Sequence, residues 1–139
     1  MAKTPRIADR HRRTRSDHSS ETAEDYVEAI ADLAAERGQC RVVDLARRFD
    51  VSHVTVTKTV SRLVRDGLAA TEPYGPVELT TKGHRLAIKS RRRHEIVHEF
   101  LLALGVSART AAIDAEGIEH HVSAETLEKL RKVTRRLQD

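Results

Sequence analysis

The sequence predicts a mostly α-helical chain whose N-terminal half forms a winged helix-turn-helix with a two-stranded wing. Helix-forming residues dominate, and the 139 residues include only six glycines and three prolines, so long helices are favoured and a large sheet is not. Hydrophobic residues recur at helical spacing through most of the chain. From residue 20 the predicted order is helix, helix, tight turn, helix and two short strands, which is the order of a winged helix-turn-helix.

Composition restricts the class of protein. The single cysteine, Cys40, excludes an internal disulfide and any multi-cysteine zinc site, as suits a reducing compartment. No apolar run approaches the roughly 20 residues of a membrane span, and no secretory signal is recognisable. We therefore expect a cytoplasmic protein of one domain or two small ones, with no membrane partner.

The net charge of +4 is concentrated at the N terminus. Residues 1–19 contain six basic and two acidic residues, so the remainder of the chain is neutral overall. This segment has almost no apolar residues and no periodicity, which predicts a disordered basic arm. Such an arm either attracts phosphate groups or is a solubilising leader with no specific role.

Residues 20–81 are predicted to form the winged helix-turn-helix. Thr22 and Asp25 match a T-x-x-D capping box at the start of a first helix, which Gly38 ends. The second helix is predicted at Val43–Phe49. The apolar stripe of the first helix consists of Tyr26, Val27, Ile30, Leu33 and Ala34.

The third helix is predicted at His53–Arg65, with Ser52 as its N-cap. Two short strands follow at Leu68–Thr71 and Val77–Thr80, around a Pro-Tyr-Gly-Pro turn. The residues of the third helix that we expect to be buried are Val56, Val60, Leu63 and Val64.

This third helix is the predicted DNA-reading element. A helix-turn-helix places its second helix in the major groove, with the N-terminal residues near base edges. Short polar side chains near the start of the helix, and basic ones on its outer face, can contact bases or phosphates of a double-stranded operator. The alternative is a helix-turn-helix that serves only for packing or for binding protein. The candidate DNA-binding residues, including the tyrosine of the wing turn, are Ser52, His53, Thr55, Thr57, Lys58, Arg62 and Tyr74.

Residues 82–139 are predicted to be entirely helical. A long helix runs from about Lys82 to Leu104 and is followed by a helix at Ala108–Val122 with Ser107 as its N-cap. A final helix begins after Ser123. The expected apolar stripe of the middle helix is Ala111, Ala115, Ile118 and Val122.

The middle helix contains the stretch Glu116-Gly117-Ile118-Glu119-His120-His121. On an α-helix, Glu116, Glu119 and His120 share one face, because they are three and four residues apart. Two carboxylates and an imidazole suit a divalent cation such as Mn²⁺ or Fe²⁺, and no thiolate is offered. The alternative is a solvated polar face on an ordinary helix.

A second motif indicates a different chemistry. His94-Glu95-Ile96-Val97-His98 matches H-E-x-x-H, in which two histidines bind zinc and the glutamate is the general base of a peptidase. Charged neighbours on both sides of the motif, and the lack of a sheet edge that could align a peptide, argue against this remote alternative.

Four segments resemble the manganese transport regulators, the manganese-responsive branch of the diphtheria toxin repressor family. They are T-A-E-D-Y-V-E-A-I-A-D-L at Thr22–Leu33, the segment Val51–Leu63, R-H-E at Arg93–Glu95, and D-A-E-G-I-E-H-H-V-S at Asp114–Ser123. The resemblance implies a repressor of metal-uptake genes rather than an enzyme. It further implies a homodimer formed through a helical dimerisation domain, with Mn(II) bound between that domain and the DNA-binding domain.

The resemblance also implies a set of metal ligands. By residue type all six positions match: Asp25, Glu28, His94, Glu116, Glu119 and His120. The implied cofactor is Mn(II), with Fe(II), Zn(II) or Cd(II) as substitutes and with no organic small-molecule substrate. Six ligands with four carboxylates are enough for two ions per protomer, which is our hypothesis. Without the resemblance, Asp25 and Glu28 are typical of solvated side chains and His94 of a core histidine. His121 points away from the ligand face and is set aside.

Two departures separate this chain from the iron-responsive branch of the resembling family. That branch carries a thiolate in place of Glu116 and a methionine in place of Asp25, so a ligand set of oxygen and nitrogen favours manganese. It also has an SH3-like C-terminal domain, which we do not expect in a chain that ends at Asp139. An iron-responsive or a metal-independent winged-helix regulator is the alternative function.

Overall fold

The computed structural model describes residues 3, 4 and 6–139, with residues 14–19 described by their backbone alone. The described chain is mostly α-helical with one two-stranded antiparallel sheet, which confirms the predicted fold class. No helix among these residues is both long and apolar enough to cross a membrane. The elements in chain order are α1 (Ile7–Arg37), α2 (Val42–Phe49), α3 (His53–Arg65), β1 (Ala69–Thr71), β2 (Val77–Leu79), α4 (Thr81–Ala103), α5 (Ala108–Ile118), a 3₁₀ turn (Glu119–His121) and α6 (Ala124–Gln138).

The chain forms two compact units. One unit is Thr22–Ser90, which we call the winged-helix unit, and the other is Arg91–Asp139 with the chain that precedes Thr22, which we call the C-terminal unit. The main segment of the C-terminal unit starts at Arg91, inside α4 and nine residues beyond the predicted domain start at residue 82.

The core of the winged-helix unit is built from α1, α2, α3 and the wing. The predicted stripe of α1 is buried apart from Ala34, which is half-buried, and Tyr26 stacks on Phe49 of α2 at a ring-centroid distance of 4.5 Å. Asp50 adopts a left-handed conformation (φ 52°) in the tight turn between α2 and α3. Val64 is 39 % exposed, so its predicted burial is wrong. At 100° per residue it lies on the flank of the face that contains Val56, Val60 and Leu63.

The wing packs against the start of α4. Strands β1 and β2 are antiparallel, with Ala69 opposite Leu79 and Thr71 opposite Val77. The hydroxyl of Thr80 donates to the carbonyl of Gly67 (2.6 Å) and accepts from the backbone N–H of Gly83 (3.1 Å). A Cβ atom at Gly83 would overlap the carbonyl oxygen of Leu68, so this close approach requires glycine.

Helix α1 begins much earlier than predicted. It starts at Ile7, so the prediction of a disordered arm over residues 1–19 is wrong for the part from Ile7 onward, and the capping box at Thr22 is not formed. Arginine is a good helix former, and Asp9 forms ion pairs three residues away with Arg6 (3.3 Å) and Arg12 (3.6 Å). Low apolar content therefore does not prevent the helix. Met1, Ala2 and Pro5 of the predicted arm lie outside the described residues.

The C-terminal unit has a small core of its own. Val97 of α4, Ala115 of α5 and Leu127 of α6 are buried together, and the predicted N-caps of α5 and α6 are confirmed. Helix α5 ends at Ile118 rather than continuing to residue 122, and Ile118 is 39 % exposed. The predicted burial of Ile118 is wrong because the backbone tightens at that point into the 3₁₀ turn.

The single cysteine is buried in the winged-helix unit. Burial raises the pKa of the Cys40 thiol to about 11, and the neighbouring carboxylate of Asp44 adds to this increase. Cys40 packs in the core of this unit and is not among the clustered ligand atoms of the described residues.

Candidate metal centre and nucleic-acid interface

The 3₁₀ turn of the C-terminal unit buries two titratable side chains. Glu119 is 1 % exposed and His120 is 4 % exposed, whereas charged residues are almost never buried without a partner. Glu116, one turn earlier on α5, presents a carboxylate toward them. These three residues offer ligand atoms that all lie within 4.8 Å of one another.

Helix α4 contributes a fourth predicted ligand. The Nδ1 atom of His94 lies 3.0 Å from Oε2 of Glu119 and 3.6 Å from Oε1 of Glu116. The Nε2 atom of His120 lies 3.3 Å from the other oxygen of Glu119. The structure thus brings together four of the six predicted ligands within one compact unit.

The donor atoms around Glu119 suit a divalent cation. Both of its carboxylate oxygens are buried, and neither accepts a hydrogen bond from the described part of the chain. A buried carboxylate without hydrogen bonds is costly, and a bound cation would compensate that cost. Neighbouring ligands of an octahedral ion bound at about 2.1 Å lie about 3.0 Å apart, close to the separations measured here. Carboxylate oxygens and imidazole nitrogens are the ligands that Mn²⁺ accepts.

Asp25 and Glu28 lie in the winged-helix unit. They are three residues apart on α1, so they share one face of that helix, and both are half-buried. Both residues have interaction partners in the structure.

Two further histidines lie near the predicted ligands. The ring of His98 stacks on the ring of His94, with centroids 5.7 Å apart and an interplanar angle of 15°. The Nε2 atom of His121 lies 3.6 Å from a carboxylate oxygen of Glu21 on α1. Neither histidine is among the six predicted metal ligands.

Sequence reasoning missed the role of Arg93. Its guanidinium is half-buried and donates a 2.5 Å hydrogen bond to the backbone carbonyl of Val122, the residue that follows the 3₁₀ turn. The sequence signal that could have indicated this role is the position of Arg93, a cation directly before the predicted ligand His94. Arg93 fixes the end of the turn that carries Glu119 and His120.

The candidate DNA-binding residues of α3 all lie on its exposed side. The hydroxyl of Ser52 accepts from the backbone N–H of Thr55 (3.1 Å) and contacts the Thr55 hydroxyl (3.0 Å), which confirms Ser52 as the N-cap. The other exposed candidates on this helix are His53, Thr57, Lys58 and Arg62. This surface combines short polar groups with cations, as a major-groove helix requires.

Tyr74 is at the tip of the wing. Its side chain is fully exposed and its backbone is in the left-handed region (φ 61°), which is unusual for a bulky residue. Arg41, which precedes α2, donates from Nη1 to the carbonyl of Tyr74 (3.0 Å) and holds the tip in place. The structure therefore presents the aromatic ring outward from an anchored turn.

Family models match almost the whole chain. Residues 18–77 match the model described as "Iron dependent repressor, N-terminal DNA binding domain". Residues 80–139 match the model described as "Iron dependent repressor, metal binding and dimerisation domain".

Individual relatives agree with the family models. The transcriptional regulator MntR of Escherichia coli O6:H1 is 50 % identical over 125 residues, which cover 90 % of this chain and 81 % of that protein. A solved "manganese-dependent transcriptional repressor complex with manganese" superimposes with a TM-score of 0.70 at 29 % identity, covering 81 % of this chain and 52 % of that one. The structure of ScaR with bound Zn²⁺ gives a TM-score of 0.70 at 26 % identity, covering 80 % and 52 %. This chain thus spans about half the length of these solved chains.

The relatives are transcriptional regulators, so the peptidase alternative drawn from His94-Glu95-x-x-His98 is not favoured and the chain is not an enzyme. The fold, the paired family models and the 50 % identity agree with one another. The chain belongs to the iron-dependent repressor family, in its manganese-responsive branch.

Proposed function

We propose that this protein represses metal-uptake genes in the cytoplasm by binding their operators as a homodimer when Mn(II) occupies the site around Glu119. The observation that carries the proposal is the buried carboxylate of Glu119, which lacks hydrogen bonds and is surrounded by three other donor groups. The proposed ligands are His94, Glu116, Glu119 and His120, completed by Asp25 and Glu28 of α1.

The charges of the proposed ligands explain why metal and DNA binding are coupled. In the apo protein, Glu116 and Glu119 place like charges within 4.8 Å of each other, and this repulsion disfavours a closely packed arrangement. Bound Mn(II) supplies positive charge that offsets the carboxylates. Four carboxylates and two imidazoles are enough donors for two ions per protomer, with Fe(II), Zn(II) or Cd(II) as substitutes.

The winged-helix unit is the part that reads the operator. Helix α3 presents His53, Thr57, Lys58 and Arg62 to the major groove. The anchored wing presents Tyr74 to the adjacent sugar-phosphate backbone of the DNA. In a dimer, two copies of α3 reach successive major grooves only at the correct spacing. A tenfold to hundredfold gain in operator affinity requires only about 1.4–2.8 kcal/mol of coupling.

A Mn²⁺ titration in a gel-shift assay with promoter DNA of manganese-uptake genes tests the proposal. We expect the wild-type protein to gain at least tenfold in operator affinity with Mn²⁺, and the Glu119→Gln variant to lose that gain. Glu125→Gln on α6 removes an exposed carboxylate of the same unit and is the matched control.

Asp25→Ala and Glu28→Ala test the two proposed ligands of α1 separately. Each should weaken Mn²⁺ binding measured by calorimetry while the helical circular dichroism is retained. Equal operator binding with chelator and with Mn²⁺ would contradict the proposed function and favour a metal-independent regulator. If either α1 variant binds Mn²⁺ with the wild-type affinity in calorimetry, the substituted residue is not a ligand.

A further inference from the structure

The N-terminal extension of α1, residues 7–21, is a helix without a buried apolar face. Its one large apolar side chain, Ile7, is 63 % exposed, and the side chains described between residues 7 and 13 are exposed except for Asp9. A helix that is polar on all sides is not held by core burial. The described side chains of residues 7–13, apart from Asp9, therefore face solvent, where a partner can contact them.

The N-terminal residues 1–19, which include most of the extension, carry a net charge of +4, equal to that of the whole 139-residue protein. The ion pairs that Asp9 forms with Arg6 and Arg12 are exposed, so little free energy is lost when phosphate groups compete for these arginines.

The helical form of the extension arranges its cations in a row. Arg6, Arg10 and Arg13 are spaced i, i+4 and i+7, so they follow one face on successive turns. Arg6 lies just before the helix, and its carbonyl accepts from the backbone N–H groups of Asp9 and Arg10. Three guanidinium groups on one face form a linear basic surface about 10 Å long.

We propose that this arginine row binds DNA phosphates that flank the site read by α3. Duplex DNA carries one negative charge per about 1.7 Å of its axis, so a row of this length faces several phosphates. Helix α1 continues without interruption from the extension into the segment that matches the DNA-binding family model. The inference rests on the proposed function, because it adds contacts to the same protein–DNA complex.

The salt dependence of operator binding tests this inference. The variant R6Q/R10Q/R13Q removes the row, and R6K/R10K/R13K keeps its charge. The control K129Q/K132Q/R136Q removes equal charge from exposed positions on α6 that also span seven residues, at i, i+3 and i+7. Affinity would be measured by fluorescence anisotropy at saturating Mn²⁺ from 50 to 200 mM salt, on a duplex with long flanks.

We expect the glutamine variant of the row to reduce the slope of log affinity against log salt by about 2.7 per protomer. Between 50 and 200 mM salt, the fold-loss of affinity should be about 40 times smaller for this variant than for the wild type, per protomer. The lysine variant should keep the wild-type slope, the α6 variant should change it little, and removal of the flanks should abolish the difference.

An unchanged slope, an equal change in the α6 variant, or a difference that persists without flanks would overturn the inference. So would a change in dimerisation without a change in slope, since the row would then bind protein. The ratio of affinities with and without Mn²⁺ should be the same in all variants. Failure of the proposed function is distinguishable, because the wild type itself would then show no Mn²⁺ stimulation.

Discussion

At the scale of single residues, Arg93 contributes one of the contacts between α4 and the segment that contains the 3₁₀ turn. In the sequence it lies between Arg92, which is exposed, and the proposed ligand His94. Its hydrogen bond to the carbonyl of Val122 fixes the backbone one residue after the 3₁₀ turn. Groups that orient metal ligands without touching the metal commonly affect affinity by 10- to 100-fold.

We therefore expect Arg93→Ala to weaken Mn²⁺ binding by about 10- to 100-fold in calorimetry. Arg93→Lys should recover part of that loss, because an ammonium group can donate to the same carbonyl although without the planar fork. Arg92→Ala is the matched control and should bind Mn²⁺ like the wild type. A fall in thermal stability with unchanged Mn²⁺ affinity would show that Arg93 only supports the fold.

At the scale of secondary-structure elements, substitution of two helical glycines by alanine should change the free energy of unfolding in opposite directions. Gly83 at the start of α4 touches the carbonyl of Leu68, whereas a Cβ atom at Gly117 of α5 would meet no atom within 4 Å. Neither residue has a positive φ, so space and helix propensity decide the effect of an added methyl group.

Gly83→Ala should lower the free energy of unfolding by about 1–3 kcal/mol, because the added atom displaces the wing from α4. Gly117→Ala should raise it by about 0.5–1 kcal/mol through better helix propensity. Urea denaturation followed by circular dichroism measures both variants. If Gly83→Ala is neutral, the close approach of Gly83 to the carbonyl of Leu68 does not contribute to stability.

The elements also show where sequence patterns succeed and fail. Ser52, Ser107 and Ser123 were predictable as N-caps, because a serine before an apolar-periodic segment is a local signal. The start of α1 was not predictable, because nothing apolar marks a helix that is stabilised by propensity and by continuation of a packed segment. The 3₁₀ turn was also missed. Over three residues a 3₁₀ turn and an α-helix differ by too few degrees for a hydrophobic pattern to distinguish them.

At the scale of the whole molecule, metal and operator binding must be reciprocal. If Mn²⁺ raises operator affinity by a given factor, operator DNA raises Mn²⁺ affinity by the same factor. We expect both factors to lie between tenfold and a hundredfold, measured by anisotropy for DNA and by competition with a fluorescent chelator for Mn²⁺. Two factors that differ beyond error would mean that a further equilibrium, such as dimer assembly, is included in one of them.

The full set of proposed metal ligands could not be predicted from hydrophobic periodicity alone. Glu116, Glu119 and His120 form a visible pattern within five residues, but His94 is 22 residues before Glu116. No helical wheel indicates that α4 and the turn meet, because that contact depends on how the small core of Val97, Ala115 and Leu127 packs. The resemblance to known regulators supplied His94, and the distances of the structure support it.

The compactness of the ligand segment has a consequence for how quickly the centre can form. Three of the four clustered residues that we propose as ligands lie between residues 116 and 120, so ordering them closes almost no loop. Only the contact with His94 closes a loop of intermediate length. Contacts that are near in sequence form early and re-form quickly after local opening. Exchange of the proposed Mn(II) should therefore need a transient opening between α4 and the 3₁₀ turn and release of Asp25 and Glu28, without global unfolding.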